Sequence, residues 1–401
     1  MTARIPAPRT VGIAGIVLGL VAFWVALPPV EARSLFWPAL LGIIAVAAGI
    51  WAASRGVRRV GLGAVAVGVL GIGFGLLATR SSVTHLDTVV VWSALLASAL
   101  RYATPLTFAA IGGMFSERSG VVNIGLEGMM LMGAFFGFWG ADKTDSWALG
   151  LLIAMAGGCA LALVHAFFSI HLRSDQIVTG TAVNFLALGI TGYFFVHIYG
   201  EQGTPTDVPS IPSVNIGGLD RIPPSGLGNF LDGIFGEMNL MIWLSFALIV
   251  VSYVVMFRTP IGLRIRAVGE HPKAADTVGI SVYRVRYLAV LTSGALAALG
   301  GAYLSLGFLH LFDQNLTGGR GFIALAALIF GKWRPFGAFS AALLFGFSSA
   351  LGDRLPDYFA QASSAPQLFN ALPYVLTLIA VAGVIGRSIP PAAIGRPYVK
   401  Q

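Results

Sequence analysis

Apolar residues along this chain fall in long unbroken runs, not in the period-3.6 or period-2 alternation of water-facing elements. The runs cover about residues 11–28, 35–53, 60–79, 89–115, 121–140, 147–170, 177–199, 239–257, 287–309, 336–352 and 369–386, with a shorter one at 322–331. A helix that crosses a bilayer needs about 20 apolar residues. Eleven runs approach that length, and the short one reads as a half-helix or re-entrant segment. The pattern therefore predicts an all-α fold, a polytopic transmembrane helical bundle of about 11–12 spans. Arg4 and Arg9 before the first run mimic a signal peptide. No convincing cleavage site follows, so that run is read as a retained span.

Composition narrows the class. Of 401 residues, 56% are hydrophobic and 10% charged, with a mean hydropathy of +0.82. Soluble domains carry about 25% charge, so a soluble enzyme is excluded. The net charge of +8 would suggest a nucleic-acid partner if its location were ignored. With the N-terminus placed inside and the chain alternating through all twelve runs, eighteen Lys and Arg fall inside and six outside. This is the positive-inside bias. It places both termini in the cytoplasm, and no nucleic-acid surface is expected. Residues 200–238, acidic and rich in Gly and Pro, read as an external loop. Residues 258–286, with a basic excess, read as a cytoplasmic loop long enough for a short helix beginning at Pro272.

Three stretches interrupt the apolar runs with polar groups. The first, GGMFSERSGVVNIGLEGMMLMG at 112–133, places Glu117, Arg118, Asn123 and Glu127 in or beside membrane runs. Ionisable groups are costly there and need a reason. A helix from Val121 would carry Asn123 and Glu127 on one face. Glu117 and Arg118 fit a cytoplasmic turn as well as a buried role. The second, HLFDQNLTGGRGFIALAALIFGKWRPF at 310–336, repeats the plan of a polar, Gly-rich break followed by an apolar segment. Interrupted segments at corresponding places in two halves point to a transport site and to inverted-repeat halves with interrupted helices. The third, DQIVTGTAVN at 175–184, offers Gln176, Thr179, Thr181 and Asn184, either as path-lining groups or as hydrogen bonds between helices. Candidate substrate-pathway residues are Asn123, Glu127, Asn184, Asp313, Asn315 and Arg320. His165 and His197 read as packed or interfacial. Gly15/Gly19 and Gly71/Gly75 read as helix-packing faces.

No catalytic set is expected. The chain has no G-x-x-x-x-G-K-[ST] phosphate cradle, no GxSxG, no HExxH and no CxxC. The lone Cys159 lies in an apolar run and reads as a buried thiol. Neither a metal nor a cofactor is expected. Two transport readings remain: a passive pathway driven by separate ATPase subunits, or an ion-coupled secondary transporter with Glu127 as the coupling acid.

The stretches SERSGVVNIGLEGMMLMG (116–133), IRAVGEHPKAADTVGI (265–280) and GGRGFIALAALIFGKWRP (318–335) occur in the order found in the permease subunits of bacterial nucleoside and simple-sugar ABC importers. The chain resembles that family, within the ribose/branched-chain amino acid permease superfamily, over about residues 88–390. The resemblance implies a multi-pass protein of the bacterial plasma membrane that moves nucleosides or simple sugars. It implies cytoplasmic ATPase subunits, a second and paralogous permease, an extracytoplasmic solute-binding protein and membrane lipid as partners. It also implies a coupling helix that docks into the ATPase, mapped onto Gly269, Glu270, His271, Pro272, Ala274, Ala275, Asp276 and Gly279. The family core has fewer spans. Residues 1–60 thus read as an extra transmembrane pair, 61–390 as the permease core and 391–401 as a cytoplasmic tail.

Overall fold

A computed structural model describes residues 7–25, 34–80, 91–200, 203–222, 225–358 and 388–400. The helices are α1 (Pro8–Val25), α2 (Phe36–Ser54), α3 (Arg58–Arg80), α4 (Trp92–Arg118), α5 (Leu126–Thr144), α6 (Trp147–Ala166), α7 (Gln176–Tyr199), α8 (Ser225–Phe235), α9 (Leu240–Arg258), α10 (Pro260–Glu270), α11 (Pro272–Thr277), α12 (Val282–Ala302), α13 (Arg320–Phe330) and α14 (Pro335–Tyr358). Among the described residues, nine helical stretches are long and apolar enough to cross a membrane. The expected run 369–386 lies outside the described residues. Helix α5 carries Glu127, Asp142 and Lys143 and is not among the nine, yet nearly all of it is buried. It is the central helix of its unit, shielded by neighbours from lipid.

The chain divides into two compact units, residues 1–96 with 347–387 and residues 97–346 with 388–401. In the first, α1, α2 and α3 pack on one another. α3 begins at Arg58, near the start of the expected apolar run at residue 60. Small residues bring these helices together. A Cβ on Gly19 would lie 2.9 Å from the Gly68 nitrogen, and one on Gly75 would lie 2.5 Å from Pro38 Cβ. Both expected GxxxG pairs thus lie at helix crossings. Lipid tails are as apolar as the side chains, so close van der Waals contact, not hydrophobic burial, holds such helices.

In the second unit α5, α6 and α12 form the centre. Helices α6 and α12 cross where Gly158 meets Gly294: a Cβ on either would lie 2.5 Å from the other's carbonyl oxygen. Each then relaxes into a π-helical turn, Phe167–His171 and Tyr303–Phe308. Helix starts follow local chemistry. Asp175 caps α7 by accepting from the Ile177 and Val178 N–H groups at 2.8 and 3.0 Å. Pro260 and Pro272 open α10 and α11, where proline lacks only an N–H that would have no helical partner. Residues 203–239 hold a two-stranded antiparallel pair, β1 (Ser213–Asn215) and β2 (Glu237–Asn239), with α8 between them. The Ile211 N–H bonds the Leu306 carbonyl at 3.1 Å, tying this loop to the second π-turn. Large exposed apolar groups such as Phe185 and Leu288 suit a lipid-facing surface. Cys159 differs from its expected burial: it is partly exposed, with Sγ 3.6 Å from the Leu291 carbonyl oxygen. The α6–α12 crossing covers its neighbour Gly158 and leaves Cys159 at the edge.

Candidate functional site

Helix α13 spans eleven residues. At 1.5 Å per residue this is about 16 Å, roughly half of a 30 Å hydrocarbon layer. The short apolar run is thus a half-helix. Its polar approach consists of turns: His310 and Asn315 are left-handed, and so are Gly318 and Gly319. The N-terminal amides of such a helix would be orphaned inside the protein. Turn carbonyls take those of Arg320, Phe322 and Ile323, and Glu127 takes those of Gly319 and Gly321. Its Oε1 accepts from the Thr317 hydroxyl at 2.5 Å and the Gly319 N–H at 2.8 Å, and its Oε2 accepts from the Gly321 N–H at 2.5 Å. A carboxylate is favoured at a helix N-terminus by both charge and dipole. Gly321 permits the approach, since a Cβ there would lie 2.5 Å from the Glu127 backbone nitrogen and Cα.

The other end of the half-helix is held by the same stretch of chain. Lys332 and Trp333 turn the backbone with φ of 56° and 51°. The Trp333 indole donates to Glu117 Oε2 at 2.5 Å, and its carbonyl accepts from Arg118 Nε and Nη2 at 3.1 and 3.0 Å. Glu117 is 3% exposed, so the cytoplasmic-turn expectation describes it poorly: it is a buried acceptor. The two stretches that share a plan in sequence are therefore bound to each other, one clasping both ends of the other.

Between its clasping acids, the first stretch is not helical. The expected helix from Val121 starts instead at Leu126, so Asn123 and Glu127 do not share a helix face. Gly120, with φ 92°, breaks the chain, and side chains replace the missing helical bonds. Gln176 Oε1 accepts from the Val122 N–H at 2.7 Å, and His165 Nε2 donates to the Val122 carbonyl at 3.0 Å. Asn184 accepts from the Gly128 N–H at 2.8 Å and donates to the Ile124 carbonyl at 3.0 Å. Arg286 Nε donates to the Ser119 carbonyl at 3.2 Å. Asn123 donates to Ser293 Oγ at 2.9 Å. Broken backbone at membrane depth is tolerated when protein satisfies it in this way.

Of the six candidate pathway residues, Asn123, Glu127 and Asn184 are thus occupied in joining segments of the chain. Arg320 Nη1 turns back to the Leu316 and Thr317 carbonyls at 3.1 and 3.2 Å. Asp313 and Asn315 are exposed on the loop before α13. The Thr179 hydroxyl donates to the carbonyl of the cap residue Asp175 and that of Thr181 to Ile177. Thr317, Trp333, Ser293 and Arg286 did not stand out in the sequence as members of this network. Their partners lie 167 to 216 residues away. Among the described residues no group of three His, Cys, Asp or Glu could hold a metal ion.

Below the break lies the 260–277 segment. Gly269 is buried against it: a Cβ there would overlap the Arg118 carbonyl oxygen and lie 3.3 Å from the Gly120 nitrogen. Ala275 is also buried, packed with Val268, Val282 and Tyr398. Glu270, His271, Lys273 and Ala274 are exposed, and Pro272 and Asp276 are half-buried. Asp276 accepts from the Tyr398 hydroxyl, and burial together with that carboxylate pushes the Tyr398 phenol up to about 12. Gly279, left-handed with φ 85°, ends the segment. This arrangement leaves one face of α10 and α11 on the broken helix and the other free.

The profile of the branched-chain amino acid transport system permease component matches residues 95–381. The chain belongs to this permease family. The guanosine ABC transporter permease NupQ of Bacillus subtilis is 44% identical over 326 residues, covering 79% of this chain and 99% of that protein. The nucleoside permease NupC of Lactococcus lactis is 39% identical, covering 77% of this chain and 97% of that protein. A putative glucose permease of Haloferax volcanii, TsgC13, is 37% identical over 64% of this chain and 76% of its own length. No solved structure matches. In this permease, the matched region contains both clasped stretches and the 260–277 segment.

Proposed function

We propose that the chain is the pathway-forming subunit of an ABC importer for nucleosides, with simple sugars as the second substrate class. The observation that carries this reading is the 44% identity to a guanosine permease over nearly all of that protein. Cytoplasmic ATPase subunits supply the energy, an extracytoplasmic binding protein delivers the solute, and a second, paralogous permease completes the pathway. Both termini and the 258–286 segment face the cytoplasm, in keeping with the basic residues gathered there. Residues 269–279 dock the ATPase through the free face of α11. Residues 1–60 are accessory to transport.

In this reading Glu127, Asn123 and Asn184 shape the pathway by holding the half-helix and the break, while Asp313 and Asn315 offer solute contacts at its mouth. The ion-coupled alternative needs a carboxylate free to exchange a proton or cation, and Glu127 already receives three donors.

Substrate class is tested by uptake of labelled guanosine into cells expressing the complete importer. Unlabelled nucleosides are expected to compete. Competition by leucine with none by nucleosides or sugars would contradict the reading.

A further inference from the structure

The last described residues, IPPAAIGRPYVK at 389–400, form no helix or strand. They nevertheless follow a fixed course across the 260–277 segment and the helix break. The Ala393 N–H bonds the Gly269 carbonyl at 2.9 Å, and the Ala392 N–H bonds the Glu270 carboxylate at 3.1 Å. The Gly395 N–H bonds the Gly120 carbonyl at 3.2 Å. Arg286, 1% exposed, donates to the Arg396 carbonyl at 3.1 Å while also holding Ser119. The Tyr283 hydroxyl donates to the Tyr398 carbonyl at 3.4 Å. Pro391, Ala393 and Tyr398 are buried, and Ala392, Arg396, Pro397, Val399 and Lys400 face out. A floppy tail would not bury an aromatic ring and satisfy carbonyls at both Gly120 and Gly269.

Between this strap and the start of α11 runs a groove of about 450 Å³. Glu270, His271 and Lys273 line one side and Arg396 and Tyr398 of the strap the other. Glu270 is exposed and keeps its negative charge while accepting from Ala392, but the cationic ends of Lys273 and Arg396 outnumber it along the groove, with Lys400 beyond. Such a groove complements a carboxylate on an incoming surface. It is continuous with α11, whose exposed end carries Val278 at 75% exposure.

We infer that residues 391–400 are a second docking element for the ATPase subunit, a strap that completes the groove beside α11 and receives an acidic side chain of that subunit between Lys273 and Arg396. The inference rests on the reading of residues 269–279 as the primary docking segment. It adds a mechanical link. A push on the strap reaches Gly120 through the Gly395 bond, and thereby the break that carries Glu127.

The test uses the full importer in nanodiscs, with Cys159→Ser as background and single cysteines placed by Arg396→Cys, Val399→Cys, Val278→Cys and Gln314→Cys. A charged maleimide is applied with and without the ATPase subunits. Labelling at positions 396, 399 and 278 is expected to fall about tenfold when the ATPase binds, and at position 314 to stay unchanged. Arg396→Glu combined with Lys273→Glu is expected to reduce ATPase co-purification by about tenfold, a typical loss for a charge pair at an interface. Protection at 278 without protection at 396 or 399 overturns the strap and leaves the proposed function standing. No protection at 278 either overturns both. Normal ATPase binding by the double variant, with weakened retention of anionic lipid, assigns the groove to a lipid headgroup and overturns the inference.

Discussion

Replacing Glu127 with alanine is expected to lower the thermal midpoint of the purified permease by about 5 °C or more and uptake at least about tenfold. The carboxylate is the shared acceptor for Thr317 Oγ1 and the Gly319 and Gly321 amides. Each buried donor left without a partner costs about 1–3 kcal/mol, so the three together cost about 3 kcal/mol or more. The loss also removes a negative charge from the N-terminus of α13. Glu127→Gln keeps one acceptor oxygen but turns an NH₂ toward an N–H donor, so an intermediate defect is expected. Thr317→Val removes a single donor and should be milder than either. Melting curves in detergent, read beside uptake in membranes, check the order alanine worse than glutamine worse than valine. An alanine variant with wild-type melting and uptake would remove the clasp from the account.

The second large effect is expected at Gly269. A Cβ here would overlap the Arg118 carbonyl oxygen, and its other near neighbour is the Gly120 backbone nitrogen. Neither is the far end of a flexible side chain that could swing aside. Overpacking of this kind costs about 1–3 kcal/mol, and here it is spent by pushing α10 away from the helix break. Gly269→Val should fold, since α10 lies at the edge of its unit, but uptake should fall about tenfold or more. ATP hydrolysis by the assembled importer should no longer respond to loaded binding protein. The variant therefore separates ATPase binding, which is retained, from coupling, which is lost. Normal stimulation of hydrolysis in Gly269→Val would show that contact with Gly120 transmits nothing.

Much of the fold was legible because in lipid a helix announces itself by length and apolarity alone. The helices of α2, α7 and α9 lie within a few residues of their runs, and Pro272 opens α11 as expected. The Gly15/Gly19 and Gly71/Gly75 faces were legible for a similar reason, since only small residues let backbones approach. The site was legible in part. Two polar, Gly-rich breaks marked the right places, but not that they join. Glu127 is bound by Thr317, 190 residues later, and no local spacing encodes that pairing. Helical periodicity misled at Val121, because left-handed Gly120 lets the backbone leave the helix while Gln176, His165 and Asn184 supply the missing bonds. The tail was invisible as structure, because PPAAIGRPYVK has neither period and its order comes from Gly269, Glu270 and Arg286.

The central claim is that this chain conducts solute and takes its energy from separate ATPase subunits. It is tested most directly in proteoliposomes that contain the permease alone or the complete importer. Labelled guanosine is supplied with its binding protein, and ATP or a proton or sodium gradient is imposed. The account predicts accumulation only in the complete importer and only with ATP. Accumulation by this chain alone, driven by an ion gradient and abolished by Glu127→Gln, would contradict it.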